Sequence, residues 1–99
     1  MDVITYWRVL ARPSRPLSLM LHLSTTDGAA VAVGDGLGVP IDQWQPGDVI
    51  VQRHTLNVPV DAPVGQYELR SGAYWLDTGA RLMAGEDDAV VLTTFEIVD

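Results

Sequence analysis

Apolar and polar positions along most of this chain alternate with a period of two, the pattern of strands that bury one face and wet the other. Leu17, Leu19, Leu21 and Leu23 alternating with Ser18, Met20, His22 and Ser24 are the cleanest case. Upstream, Val3, Thr5, Trp7 and Val9 share one face, with Trp7 as a structural anchor, and Ile4, Tyr6, Arg8 and Leu10 share the other. That strand ends at the Arg12–Pro16 segment, whose two prolines sustain neither ladder nor helix. Asp27-Gly28 predicts a tight hairpin turn into a short strand from Ala30 to Gly34. Asp35 to Gly47 reads as a long loop anchored by Trp44, and Asp48 to Val58 is extended again. With Leu56 and Val58 inward, Ile50, Gln52 and His54 fall on the same face, so His54 needs a partner such as Asp35 or a backbone carbonyl.

The chain is organised around its next stretch. Val58-Pro59 ends one extended run, Asp61 to Gly65 turns a corner, and Gln66 to Leu76 reads as a long strand. Tyr67, Leu69, Ala73 and Trp75 lie on one face of it, and Glu68, Arg70 and Tyr74 on the other. Pro63, Gly65 and Tyr67 match the corner of Greek-key sandwiches in which a tyrosine hydroxyl bonds back to the turn. Asp77-Thr78-Gly79 and the acidic Gly85–Asp88 are further turns, before a last strand from Ala89 to Val98 with Val91, Thr93, Phe95 and Ile97 on one side. No segment carries apolar residues at helical spacing, and the turns recur about every 8–12 residues. The fold class predicted is all-β: an immunoglobulin-like antiparallel β-sandwich of about seven strands with Greek-key connections.

Length and charge narrow the function. The 99 residues suit a single domain spanning residues 1–99, with one core and little room for a deep cavity. No apolar run approaches the roughly 20 residues of a membrane helix. The formal net charge of −7, with no cluster of basic residues, argues against nucleic acid and anionic lipid as partners. The absence of cysteine removes disulfides, thiolate chemistry and cysteine-based metal sites.

The only imidazoles, His22 and His54, both sit in predicted strands. His22 should face outward or lie under a loop, and His54 should be a satisfied structural histidine, so no nucleophile, base and acid assemble and an enzyme is not expected. Asp77, Asp87 and Asp88 fall in neighbouring turns but match no calcium loop, so neither a metal nor a cofactor is expected. Trp44, Trp75 and Tyr74, with Gln43 and Gln45 beside Trp44, offer material for stacking sugar rings in a carbohydrate-binding module. Tryptophans in a small all-β domain equally serve as core anchors. The loop from Asp35 to Gly47 offers another surface, of the kind a protease inhibitor presents.

The series Tyr6-Trp7-Arg8, Leu21-His22-Leu23, Asp27-Gly28, Trp44-Gln45-Pro46-Gly47-Asp48-Val49, His54-Thr55-Leu56, Pro63-Val64-Gly65-Gln66-Tyr67 and Gly72-Ala73-Tyr74 resembles a known kind of domain. It is similar to the immunoglobulin-like modules at the C-terminal, extracytoplasmic end of bacterial multi-pass membrane proteins of the glycosyltransferase-like kind. The resemblance implies a non-catalytic accessory or binding module of a cell-envelope protein, excised from or appended to a larger polypeptide and tied to a membrane only through that parent. Carbohydrate or another protein is the partner it implies, and it transfers no catalytic residue. Such modules usually carry one more strand before the Tyr-Trp pair. This chain departs from them at Ser71, where an aliphatic core residue is usual, and at Trp75, where an acidic turn residue is common.

Overall fold

The computed structural model describes residues 1–37 and 40–98. Six strands form, β1 (Asp2–Arg8), β2 (Leu17–Thr25), β3 (Ala30–Val33), β4 (Val49–Thr55), β5 (Gly65–Trp75) and β6 (Val90–Ile97), with a single 3-10 turn at Ile41–Gln43 and no α-helix among the described residues. They make two antiparallel sheets, a narrow one of order β1-β4 and a wide one of order β3-β2-β5-β6. The chain crosses between sheets from β1 to β2, from β3 to β4 and from β4 to β5. About seven strands were expected from the turn spacing. The segment after the Asp77-Thr78-Gly79 turn forms only isolated bridges, Arg81 to Tyr74 and Ala84 to Asp87, in place of a further strand.

Two apolar clusters join the sheets. Leu21, Leu23, Ala32, Leu56, Tyr67 and Leu69 form one, and Val9, Leu17, Leu19, Trp44 and Ile50 form the other. The leucines of β2 enter both, as their alternation requires. β4 buries Ile50, Gln52 and His54 and exposes the residues between them, which is the inward phase read from Leu56. At the start of β5 the Tyr67 hydroxyl donates to the Pro63 carbonyl at 2.6 Å and clamps the corner onto the strand. Ser71, on the inward side of β5, is buried without leaving its polar group unpaired, because its hydroxyl donates to the Met20 carbonyl at 2.7 Å.

Two features depart from simple alternation. β2 is buried on both faces, since Met20 and Ser24 are as enclosed as the leucines. The turn before β6 folds over this outer face: a Cβ on Gly72, opposite Met20, would stand 3.2 Å from the Asp88 carbonyl and 3.5 Å from the Met20 methyl. Only glycine lets the turn come so close. In β6, Thr93, Phe95 and Ile97 pair with Leu69, Tyr67 and Gly65, but the register shifts next to Leu69, so that Val91 pairs with Arg70 on the outer face. The expectation that Val91 shares the Phe95 face is therefore corrected by a bulge, which turns Val90 and Leu92 inward instead.

The β2–β3 hairpin holds the Asp27 carboxylate in place. The Thr25 hydroxyl donates to it, the Ala29 N–H approaches it at 3.4 Å, and the Thr25 N–H bonds the Ala29 carbonyl across the turn at 2.9 Å. The Thr25 hydroxyl first, and the Ala29 N–H second, hold the Asp27 carboxyl below the usual carboxylate range. A group depressed on folding stabilises the native state above its unfolded pKa, and that contribution disappears as pH falls through the folded value. Following the Asp27 carboxyl resonance through an acid titration should accordingly give a midpoint below the ordinary aspartate range, and a midpoint within that range would contradict the hairpin geometry. In urea unfolding, Leu21→Ala should cost about 2–5 kcal/mol as a core truncation and Tyr67→Phe about 1 kcal/mol for the lost corner bond. Equal, negligible costs at both positions would mean that the inward face is wrongly assigned.

Candidate functional site

His54 is 1% exposed and both ring nitrogens are engaged. Its Nδ1 lies 2.6 Å from the Gly34 carbonyl, which only accepts, so Nδ1 carries the proton and Nε2 accepts from the Thr5 hydroxyl at 2.9 Å. The Thr5 oxygen in turn accepts from the Trp7 indole N–H at 2.8 Å. A hydrogen-bonded chain thus runs from β1 through β4 to the residue after β3 and ties the narrow sheet to the wide one. The histidine has no lone pair left for a substrate. Gly34 is required here, because a Cβ would stand 2.8 Å from the Thr55 carbonyl oxygen.

Asp35, one of the partners expected for His54, turns the other way. Its Oδ1 accepts the Leu21 N–H at 2.9 Å and lies 3.3 Å from His22 Nε2. With Tyr74 and Arg81 these residues line a hollow of about 200 Å³ on the outer face of the wide sheet. Arg81 reaches Asp88 at 3.5 Å. The hollow offers hydrogen-bonding groups, but its walls include no hydroxyl or thiol of serine, threonine or cysteine for the imidazole to activate.

The residues singled out for sugar stacking do not share a surface. Trp44 is 6% exposed in the second apolar cluster, where it fixes the long loop, and the Arg12 guanidinium donates to its carbonyl at 2.9 Å. Trp75 packs against the same cluster, with the Arg15 guanidinium 4.4 Å above its ring. Tyr74 is its neighbour in β5 and so points to the opposite face, toward His22. The three aromatic rings are thereby divided between an interior and an outer hollow. Within the Asp35–Gly47 loop, Gly38 and Val39 lie outside the described residues. Of the flanking parts, Gly36 exchanges backbone bonds with Leu19, and Ile41–Gln43 form the 3-10 turn.

Two of the turn acids are paired, Asp77 with Arg15 and Asp88 with Arg81, each at 3.5 Å. Among the described residues no group of three or more His, Asp or Glu side chains is placed to hold a metal ion. An apolar opening that the sequence did not signal lies between β1 and β6. Its volume is about 400 Å³, and Trp7, Val90 and Leu92 are among its walls. The only hint of it in the sequence was bulk on both faces of the first strand.

The class defined by these features is an all-β domain of two antiparallel sheets, with six strands among the described residues. Neither the family models, nor the curated proteins, nor the solved structures compared with this chain give a match. No helix of the described residues is long and apolar enough to cross a membrane.

The chain through His54 sets an expected outcome. His54→Leu leaves the Gly34 carbonyl without its donor and the Thr5 O–H without its acceptor and should cost about 2–4 kcal/mol, whereas Thr5→Val in the His54→Leu background should cost less than in the native protein. Strict additivity in a double-mutant cycle by chemical unfolding would show that the two side chains do not act as one network.

Proposed function

We propose that this chain is a non-catalytic accessory module of a cell-envelope protein, an immunoglobulin-like sandwich with Greek-key connections that acts by binding another polypeptide. The observation that carries the reading is the division of chemistry from surface. His54 is bonded through both ring nitrogens to Thr5 and Gly34, and His22 lies 3.3 Å from Asp35, while an apolar opening stands beside the uncovered edge of the narrow sheet. Exposed edges and apolar openings are where antiparallel domains take polypeptide partners. What supports the immunoglobulin-like assignment is the repeated crossing between sheets together with the Tyr67–Pro63 corner. Carbohydrate binding through Trp44, Trp75 and Tyr74 has less support, since the first is buried and the other two face apart.

The net charge of −7 favours a protein partner over nucleic acid or an anionic membrane surface. Produced from its own gene in its own cells, the polypeptide should be cleaved by a protease added outside the cytoplasmic membrane, and the purified domain should turn over no ester, glycoside or phosphate reporter. Complete protection in intact spheroplasts would end the envelope assignment. Turnover abolished by His22→Ala would end the non-catalytic one.

A further inference from the structure

The sheets differ by two strands in width, and at the β1 edge of the narrow sheet uncovered backbone lies beside an apolar opening. β1 pairs with β4 and with no other strand among the described residues. Leu56 N–H donates to the Met1 carbonyl and Val9 N–H to the Asp48 carbonyl, which sets the phase of that ladder. Odd-numbered residues of β1 turn their backbone groups toward β4, so Asp2, Ile4, Tyr6 and Arg8 turn theirs to the free edge. Beside that edge the wide sheet continues to β6, and the opening between them is walled by Ile4, Tyr6, Trp7, Gly72, Val90 and Leu92. Tyr6 is 70% exposed, Ile4 50% and Leu92 48%.

We propose that this opening receives an extended segment of a partner protein, which adds to β1 as a third strand of the narrow sheet and lays alternate apolar side chains against Trp7, Val90 and Leu92. The inference rests on the binding-module reading and names the site and the kind of partner. A strand is specified because the edge supplies backbone donors and acceptors in strand spacing, and alternation because every second side chain of an added strand turns to the inner face, where Trp7, Val90 and Leu92 lie.

A second copy of this chain does not fit. Residues facing each other across an antiparallel pair point to the same side. Joining β1 to a second β1 would therefore put both wide sheets on one side of the joint, competing for the space that β5 and β6 already occupy below it. A lone segment brings no second sheet. Its flanks should be basic, since Ala84 in the wall opens the turn that carries Glu86 and Asp87, neither of which has an ion pair among the described residues, and the chain as a whole is acidic. Arg8 is the one basic side chain on the edge strand.

The test is a nuclear magnetic resonance titration of the whole chain with the capped peptide Lys-Val-Thr-Val-Thr-Val-Lys and with a version ending in glutamates. Shifts should map to β1 and β6, the Ile4 and Tyr6 amides should gain protection from exchange, and the lysine peptide should bind more tightly. Tyr6→Pro removes a donor that faces the edge and not β4, so the fold should persist while affinity falls about tenfold or more. Leu92→Asp, at a half-exposed position, should weaken binding as much without touching the β1–β4 ladder. The proposal is overturned by an absence of shifts at millimolar peptide, by shifts elsewhere, by equal affinity for the two peptides, or by unchanged binding in both variants. Concentration-dependent dimerisation through β1 without peptide would replace the partner strand with a second copy. None of these outcomes bears on protease accessibility or reporter turnover, so this inference fails separately from the module reading.

Discussion

The bond from His54 Nδ1 to the Gly34 carbonyl fixes how the two sheets meet. In a regular ladder Gly34 and Leu21 would exchange two backbone bonds, and one of them is present, from the Gly34 N–H to the Leu21 carbonyl at 2.8 Å. The other is missing because the Gly34 carbonyl has turned to the histidine of the facing sheet. The Leu21 N–H left over is taken by the Asp35 carboxylate, the next side chain along, which thereby comes within reach of His22 on the outer face. One interior hydrogen bond thus places a glycine, an aspartate and both histidines of the chain. A buried imidazole in this position adds directional constraint to apolar packing, because its two nitrogens accept one arrangement of Thr5 and Gly34.

That anchorage lies on the β4 side of the narrow sheet, and it leaves β1 facing a wide sheet that extends beyond it. Sheets pack face to face about 10 Å apart, and neighbouring strands lie about 4.8 Å apart, so a two-stranded layer cannot roof a four-stranded one. The clusters accordingly form where the layers overlap, and β6 keeps Phe95 and Ile97 partly covered while Val90 and Leu92 remain open.

Strand positions were legible in the sequence because period-2 alternation and turn residues act locally. The leucines of β2, the inward phase of Ile50, Gln52 and His54, and the faces of β5 all follow from that pattern. What was not legible depended on contacts between segments far apart in sequence. Asp35 differs from Gly34 by one position, yet the first meets His22 and the second His54, a choice made by the facing sheet. The cover over Met20 depends on the approach of Asp88 to Gly72, and the bulge at Leu92 reverses the face of Val91, neither of which has a local signature. The candidate aromatics misled for a similar reason. Composition supplies rings without saying that Tyr74 and Trp75, as neighbours in one strand, must part.

The four outer strands of the two sheets are not equally defended against pairing with another chain. β3 is four residues long, β6 is bent by its bulge, and β4 carries Arg53 in its middle, three devices that blunt an edge. β1 runs seven residues with no proline and no bulge, and its charges, Asp2 and Arg8, stand only at its ends. An edge of that kind would ordinarily invite self-association. Here the overhang of β5 and β6 imposes a steric condition: whatever pairs with β1 must be slender enough to lie over them without a sheet of its own. The same width mismatch that exposes the apolar side chains therefore also filters what reaches them, so an open edge and a folded domain that does not pair with itself are compatible within one chain.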